Sequence, residues 1–447
     1  MNKLLLIGAS LLIISAAGPA HTGYAAGLGG LGGIGGLGGL GGLPRLPGPA
    51  LPPVVNRATG TLGQAVDAAA GQARQVVDNV GRPPLPNAFE ADARGARVVR
   101  GEVLAVSPSA AGLAAAQGLN FQILRQENLG GLNIGITVLR PPPGMNASDA
   151  LAALRMADPA GTYDYNHIYD PSADAAVAVA AIAGEGSAGI DAQSIRIGMV
   201  DGGVDVRHPD LRRVKIVTAN LAGAGAGPAS EHGTAVASVI AGCGGEIRGA
   251  LPCAAIYAAD VYGGVATGGS AEAVARGIAW VAAQGVPVIN VSLVGPANAL
   301  LEAVTRAVLA RGHVIVAAGG NDGPATPIEY PAAYDGVIAV TSVNTAHQVQ
   351  IDANQGPQLA FAAIGVDVPA AIPGKTYKRF TGTSFAVPVV AAWFALKLAH
   401  PDNAAAAAAY RELQNQAIDL GDPGRDPVFG WGFLDRPGSQ RLSVSSK

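Results

Sequence analysis

The sequence predicts an α/β fold: a mostly parallel sheet held between helices in three layers, preceded by a small α+β domain and a glycine-rich low-complexity linker. Three observations lead there. From about residue 190 onward, short apolar runs alternate with helical stretches, the pattern of strands buried on both faces and joined by crossover helices. Before them lies a shorter stretch that mixes strand and helix patterns, and before that a tract built almost entirely of glycine and leucine. The chain has 447 residues, 49% of them hydrophobic and 14% charged, enough apolar surface for a large core and more than one domain. Its 29 Lys and Arg against 32 Asp and Glu contain no long run of either sign, so there is no electrostatic footprint for a nucleic acid.

Taken in order, residues 1–25 read as a secretory signal, with Lys3, an apolar stretch over 4–17 and small residues ending in Gly23-Tyr24-Ala25. The apolar core is too short to span a bilayer comfortably. No stable membrane span is therefore expected after signal removal, and the expected location is secreted or periplasmic. Residues 26–57 form the Gly- and Pro-rich linker, whose glycines make ordering costly. Residues 58–95 hold an amphipathic helical stretch with Leu62, Val66, Ala69, Ala73, Val76 and Val77 on one side, then a proline-rich break at 83–86. Residues 96–170 read as the α+β domain: a strand over 98–106, a helix over 110–118, strands over 121–125 and 135–139 around Gly130-Gly131, and a helix through Met156 opened by Asn146 or Ser148. Residues 171–189, rich in Ala and Gly, read as a linker open to proteolysis.

The main domain is expected over 190–437, with a tail over 438–447. Its candidate strands are 195–200, 256–260, 286–291, 314–318 and 337–342, and its candidate crossover helices 271–284 and 300–310. In such sheets ligands collect at the carboxyl ends of the strands, and Asp201 follows the first run directly. The two cysteines, Cys243 and Cys253, favour a disulfide in an exported chain, with two buried thiols as the alternative. Two thiols with no histidine between them do not make a metal site.

The chemistry lies in three short motifs: Asp201 in Val200-Asp201-Gly202-Gly203, His232 in Glu231-His232-Gly233-Thr234, and Ser384 in Gly382-Thr383-Ser384-Phe385-Ala386-Val387-Pro388. A serine hydroxyl needs a base to take its proton, an imidazole suits that role near neutral pH, and a carboxylate on the far ring nitrogen fixes the tautomer. Ser384 precedes an apolar stretch, 385–398, that reads as a helix with Pro388 tolerated in its first turn. His232 precedes another helical run, 235–241.

In that order and with those neighbours, the motifs resemble the subtilisin-like serine proteases, the subtilase family of peptidase S8 type. Further likenesses are His208-Pro209-Asp210-Leu211 and the stretch from Asp419 to Gly432, so the resemblance covers roughly 190–437. It implies Asn321, in Gly319-Gly320-Asn321-Asp322-Gly323, as an oxyanion donor. It also implies Ser292-Leu293-Val294-Gly295 as one wall of the pocket for the side chain preceding the scissile bond, and Glu329-Tyr330-Pro331-Ala332 as its base. The strand and helix order of 96–170 is similar to the family's inhibitory propeptides. Gly202, Ala235 and Phe385 depart from the family's usual Thr or Ser, His and Met. The short loop over 241–249 lacks the Asn and carboxylates of calcium-binding relatives, so no calcium site is carried over there and no metal ligands are assigned, with calcium held elsewhere by oxygen ligands left open; no cofactor is expected. The function expected is an exported serine endopeptidase acting on protein or peptide substrates through an acyl-enzyme, made as a zymogen whose N-terminal domain is an intramolecular inhibitor. The alternative is a catalytically silent binding or envelope protein on the same fold.

Overall fold

The computed structural model describes residues 87–172, 177–179 and 192–439, apart from 224 and 226. The expected signal, the glycine-rich linker, the helical stretch after residue 58 and most of the linker at 171–189 and of the tail lie outside the described residues. The first described unit is an antiparallel sheet with two helices. Its elements are β1 (Phe89–Ala91), β2 (Arg97–Val106), α1 (Ala110–Gly118), β3 (Gln122–Leu129), β4 (Ile134–Arg140), α2 (Ala147–Ala157) and β5 (Thr162–His167). β4 lies between β2 and β3, while β1 and β5 both pair with β2. Asn146 caps α2 by accepting from the Asp149 backbone at 2.9 Å, satisfying one of the free amides of the first turn. The helices cover one face of the sheet, where Val103, Ala105, Phe121, Leu139, Leu151 and Leu154 form a separate core.

Two strands in this unit depart from the sequence expectation. β1 falls in the stretch read as a proline-rich linker, and β5 follows the last predicted helix. β1 is three residues long and is held by the hairpin it makes with β2, while β5 pairs with β2 from the far end of the unit, so neither is set by its own pattern alone.

After β5 come β6 (Asp170–Pro171) and β7 (Val177–Val179), then the large domain: β8 (Arg196–Asp201), β9 (Ile216–Asn220), α3 (Glu231–Ala241), β10 (Ala255–Asp260), α4 (Ala271–Ala283), β11 (Val288–Val291), β12 (Leu293–Val294) and α5 (Ala299–Leu309). β13 (Val314–Ala318), β14 (Ile338–Val343), β15 (Leu359–Ile364), β16 (Val368–Ile372), β17 (Thr376–Phe380), α6 (Thr383–Lys397) and α7 (Asn403–Gln416) complete it. Seven strands form a parallel sheet in the order β15-β14-β13-β11-β8-β10-β9. Strand alternation sorts its side chains: Ile197, Met199 and Val316 face α3 and α6, while Val200, Ala259 and Ala317 face α4 and α5. Helices thus bury both faces, as the near-continuous apolar strands require. β16, β17 and β7 make a small antiparallel sheet, and Cys243 and Cys253 are joined as a disulfide.

The N-terminal sheet lays its second face on α4 and α5, with Leu104, Val106, Ile134 and Val138 in the same core as those helices. Polar groups complete the contact at the helix starts. Asp164 Oδ2 accepts from the Ala299 backbone at 2.7 Å and Asn166 Oδ1 from the Glu272 backbone at 3.2 Å, so each helix N-terminus receives an oxygen where its amides are unpaired.

Candidate active site

Asp201 is the last residue of β8 and is fully buried at the carboxyl end of the sheet. The Gly202 N–H donates to its Oδ1 at 2.6 Å. Glycine is required at 202 because a Cβ there would lie 2.3 Å from the Ser230 hydroxyl. That hydroxyl caps α3 by accepting from the Gly233 N–H at 2.9 Å. The departure from the usual Thr or Ser at 202 therefore has a physical reason: the space is taken by Ser230.

The cap fixes the first turn of α3, and His232 is its second residue, so the helix begins earlier than the apolar run alone suggested. Imidazole Nδ1 stands 2.9 Å from Asp201 Oδ1. A carboxylate accepts at that distance, which puts the proton on Nδ1 and leaves the Nε2 lone pair free. Nε2 is buried without a hydrogen-bond partner, and the Phe385 ring packs 5.6 Å from the imidazole, centre to centre.

Ser384 is the second residue of α6, at a helix N-terminus whose amides favour negative charge. Its Oγ donates to the Ser292 carbonyl at 3.0 Å and not to His232. Ser292 is braced in turn, donating from Oγ to the Ser384 carbonyl at 3.0 Å and accepting from Asn290 Nδ2 at 2.9 Å. Asn321 follows β13, and its Oδ1 accepts from the Thr383 N–H at 3.1 Å. This turns Nδ2 toward the cleft.

The cleft is filled by the chain itself. β6 pairs antiparallel with β12, Asp170 opposite Val294 and Pro171 opposite Leu293. Upstream, the Tyr169 N–H donates to the Gly269 carbonyl at 2.8 Å, and downstream the Ser172 N–H donates to the Ser292 carbonyl at 3.4 Å. The Ser172 carbonyl then accepts from the Ser384 N–H at 3.1 Å, while its hydroxyl accepts from Asn321 Nδ2 at 2.9 Å and lies 2.9 Å from Thr383 Oγ1. Tyr169 is fully buried against Gly295, where a Cβ would come within 2.6 Å of the ring. Its hydroxyl donates to the Pro296 carbonyl at 2.5 Å, and the Tyr262 hydroxyl donates to the Tyr169 carbonyl at 2.9 Å.

Asp201, His232, Ser384, Asn321, Ser292, Leu293, Val294 and Gly295 thus converge on one groove. Glu329 stands at one end of it, lining with Asp322, Asn321, Val294, Gly295 and Ser172 a cavity of about 360 Å³. Burial, with the Asp322 charge beside it, pushes the Glu329 carboxyl up to about 8. His208 is also fully buried, but its Nδ1 accepts from the Asp210 N–H at 3.2 Å, so it braces a loop. The sequence reading missed Ser172, Tyr169 and Tyr262 as members of the groove. Thr383 carried a local signal, its place beside Ser384, and the other three carried none.

The sequence model of the subtilase family, Peptidase S8, matches residues 192–432, over half of the chain. A subtilisin of Bacillus pumilus is 34% identical over 231 residues, covering 48% of this chain and 81% of that enzyme. The minor extracellular protease Epr of Bacillus subtilis (strain 168) is 33% identical over 252 residues, 55% of this chain. The chain spans 38% of the length of Epr. Among solved structures, fervidolysin of Fervidobacterium pennivorans, described as a keratinolytic enzyme related to subtilisin, superposes with a TM-score of 0.65 at 21% identity. That likeness covers 79% of this chain and 61% of fervidolysin, so the shared fold extends beyond residues 192–432. With Asp201, His232 and Ser384 in one groove at the carboxyl end of a parallel seven-stranded sheet, and with the family match over that whole domain, this chain belongs to the subtilase family.

Proposed function

We propose that the protein is an exported serine endopeptidase made as a self-blocked precursor, which cuts its own Ser172–Ala173 bond before acting on other proteins. The observation that carries this reading is the seat of the Ser172 carbonyl. It takes the Ser384 N–H in the position a scissile carbonyl would occupy, on a segment bound to the groove as an added strand.

In the mechanism, the Ser384 hydroxyl rotates from the Ser292 carbonyl to His232 Nε2, which takes its proton as Oγ attacks the carbonyl carbon. Asp201 holds the Nδ1–H and stabilises the imidazolium. The oxyanion accepts from the Ser384 N–H and from Asn321 Nδ2, which leaves the Ser172 hydroxyl for the developing charge. His232 then gives its proton to the leaving amine, the carbon–nitrogen bond breaks, and water attacks the acyl-enzyme with His232 again as base. The backbone of Ser292 to Gly295 holds the substrate on the acyl side of the bond, and Glu329 lines the pocket beyond it. Until it leaves, the N-terminal domain is the intramolecular inhibitor.

Export rests on the signal-like residues 1–25 and agrees with the extracellular description of Epr. No helix of the described residues is long and apolar enough to cross a membrane. A fluorophosphonate probe on the processed protein tests the assignment. The expected adduct is on Ser384 and is lost in His232→Ala; a folded, processed sample without an adduct would refute the enzyme and favour a silent binding protein.

A further inference from the structure

Under the peptidase reading, Ser172 marks where the side chain preceding the cut bond sits. Its hydroxymethyl group turns toward Asn321 and Thr383, beside a cavity of about 360 Å³ lined by Arg97 and Asp170 from the N-terminal part of the chain and by Val294, Gly295, Asp322 and Glu329 from the large domain. We propose that this cavity selects a lysine or arginine side chain, and that Glu329 and Asp322 make the selection depend on pH.

Glu329, Asp322 from the loop after β13 and Asp170 from β6 all border the cavity, and the one cation among its lining residues is Arg97 of the N-terminal domain. Arg97 is already engaged in an ion pair with Asp170. Glu329 Oε2 is buried without a hydrogen-bond partner. When the N-terminal domain departs, Arg97 and Asp170 go with it. The part-buried Glu329 and the exposed Asp322 then remain along the recess with no cation among its lining residues, so a positive side chain is favoured there over a negative one.

A proton competes for the same place. In the closed groove, burial and the neighbouring Asp322 push the Glu329 carboxyl up to about 8, and a substrate strand that takes the place of β6 covers it again, so near neutral pH an uncharged side chain leaves Glu329 largely protonated. A bound lysine or arginine must displace that proton. The sign follows from linkage: a cation that binds the ionised form binds more tightly as pH rises through the carboxyl's pKa, and gains nothing further above it. A neutral side chain such as Ser172 needs no such displacement, so it can occupy the site while the carboxyl stays protonated.

The test uses the full chain after its own processing, with fluorogenic peptides Tyr-Ala-Pro-X in which X is Lys or Gln. The ratio of the two kcat/KM values is measured from about pH 6 to pH 9. Lysine remains charged throughout, and the ratio cancels the ionisation of His232, which both substrates share. The expected ratio rises by about tenfold or more across that range. Glu329→Gln flattens the rise, and Asp322→Asn moves it to lower pH because it removes the charge that opposes ionisation. A ratio of two substrates on one enzyme does not change with the fraction of enzyme that folds, so a poorly folding variant remains informative. A flat ratio in the wild type, or a rise that survives in Glu329→Gln, overturns the proposal while leaving the peptidase reading intact. No turnover of either peptide by processed protein overturns both.

Discussion

Asn321 and Ser172 meet at the point where the blocked groove and its proposed chemistry differ by one hydrogen bond. Asn321 Nδ2 donates to the Ser172 hydroxyl rather than to its carbonyl, so the bond after Ser172 is held with a single oxyanion donor. Ser172→Ala removes the competing acceptor without changing the backbone pairing with Ser292 and Leu293. It is expected to speed loss of the full-length chain by about tenfold, the worth of roughly 1.4 kcal/mol in the barrier, as followed on a time course; slower processing would mean that the hydroxyl assists the cut. Asn321→Ala is expected to lower kcat on a peptide substrate by about 100- to 1,000-fold, the usual cost of deleting an oxyanion donor. KM should change far less. At this scale much was legible in the sequence: Asp201, His232, Ser384 and Asn321 each sit in a short motif whose neighbours dictate local geometry. Ser172 was not legible, because its meaning comes from contacts such as that to Thr383, 211 residues away.

Two helix starts hold the N-terminal domain on the large one. α4 and α5 receive oxygens from Asn166 and Asp164, and Arg125 on β3 pairs with both Glu102 and Glu272. Glu272 is buried in the first turn of α4, so Arg125→Ala leaves a carboxylate with only the helix amides to balance it. Breaking a buried pair costs about 3–5 kcal/mol. Arg125 is 44% exposed, and solvent screening reduces this to about 1–2 kcal/mol, or roughly tenfold in docking. The expected result is a shorter lag before activity and loss of co-elution of the cut domain with the large one. An unchanged lag would mean that the apolar face alone sets the docking. α1, α2, α4 and α5 were predicted to within a residue or two, because caps and apolar period are local signals. β9 escaped notice because it is a half-exposed edge strand. β15 is half alanine, β16 contains Pro369, and α7 buries little beyond Ala409 and Leu413. Each is fixed by its tertiary partner rather than by its own pattern.

For the molecule as a whole, sequence alternation was enough to give the parallel sheet and its two helical layers. It could not show that residues 168–172 return to the groove as a strand, since two residues of β6 have no pattern of their own and acquire one only against β12. That return ties the domains to one account: the N-terminal sheet docks on α4 and α5, its last segment lies across Ser384, and cutting after Ser172 frees the groove. Intact mass analysis of the purified full-length chain beside its Ser384→Ala variant tests this most directly. The account predicts a fragment beginning at Ala173 in the wild type and none in the variant, which stays as an uncut precursor. The same fragment in both proteins, or a wild-type cut away from the Ser172–Ala173 bond, would contradict it.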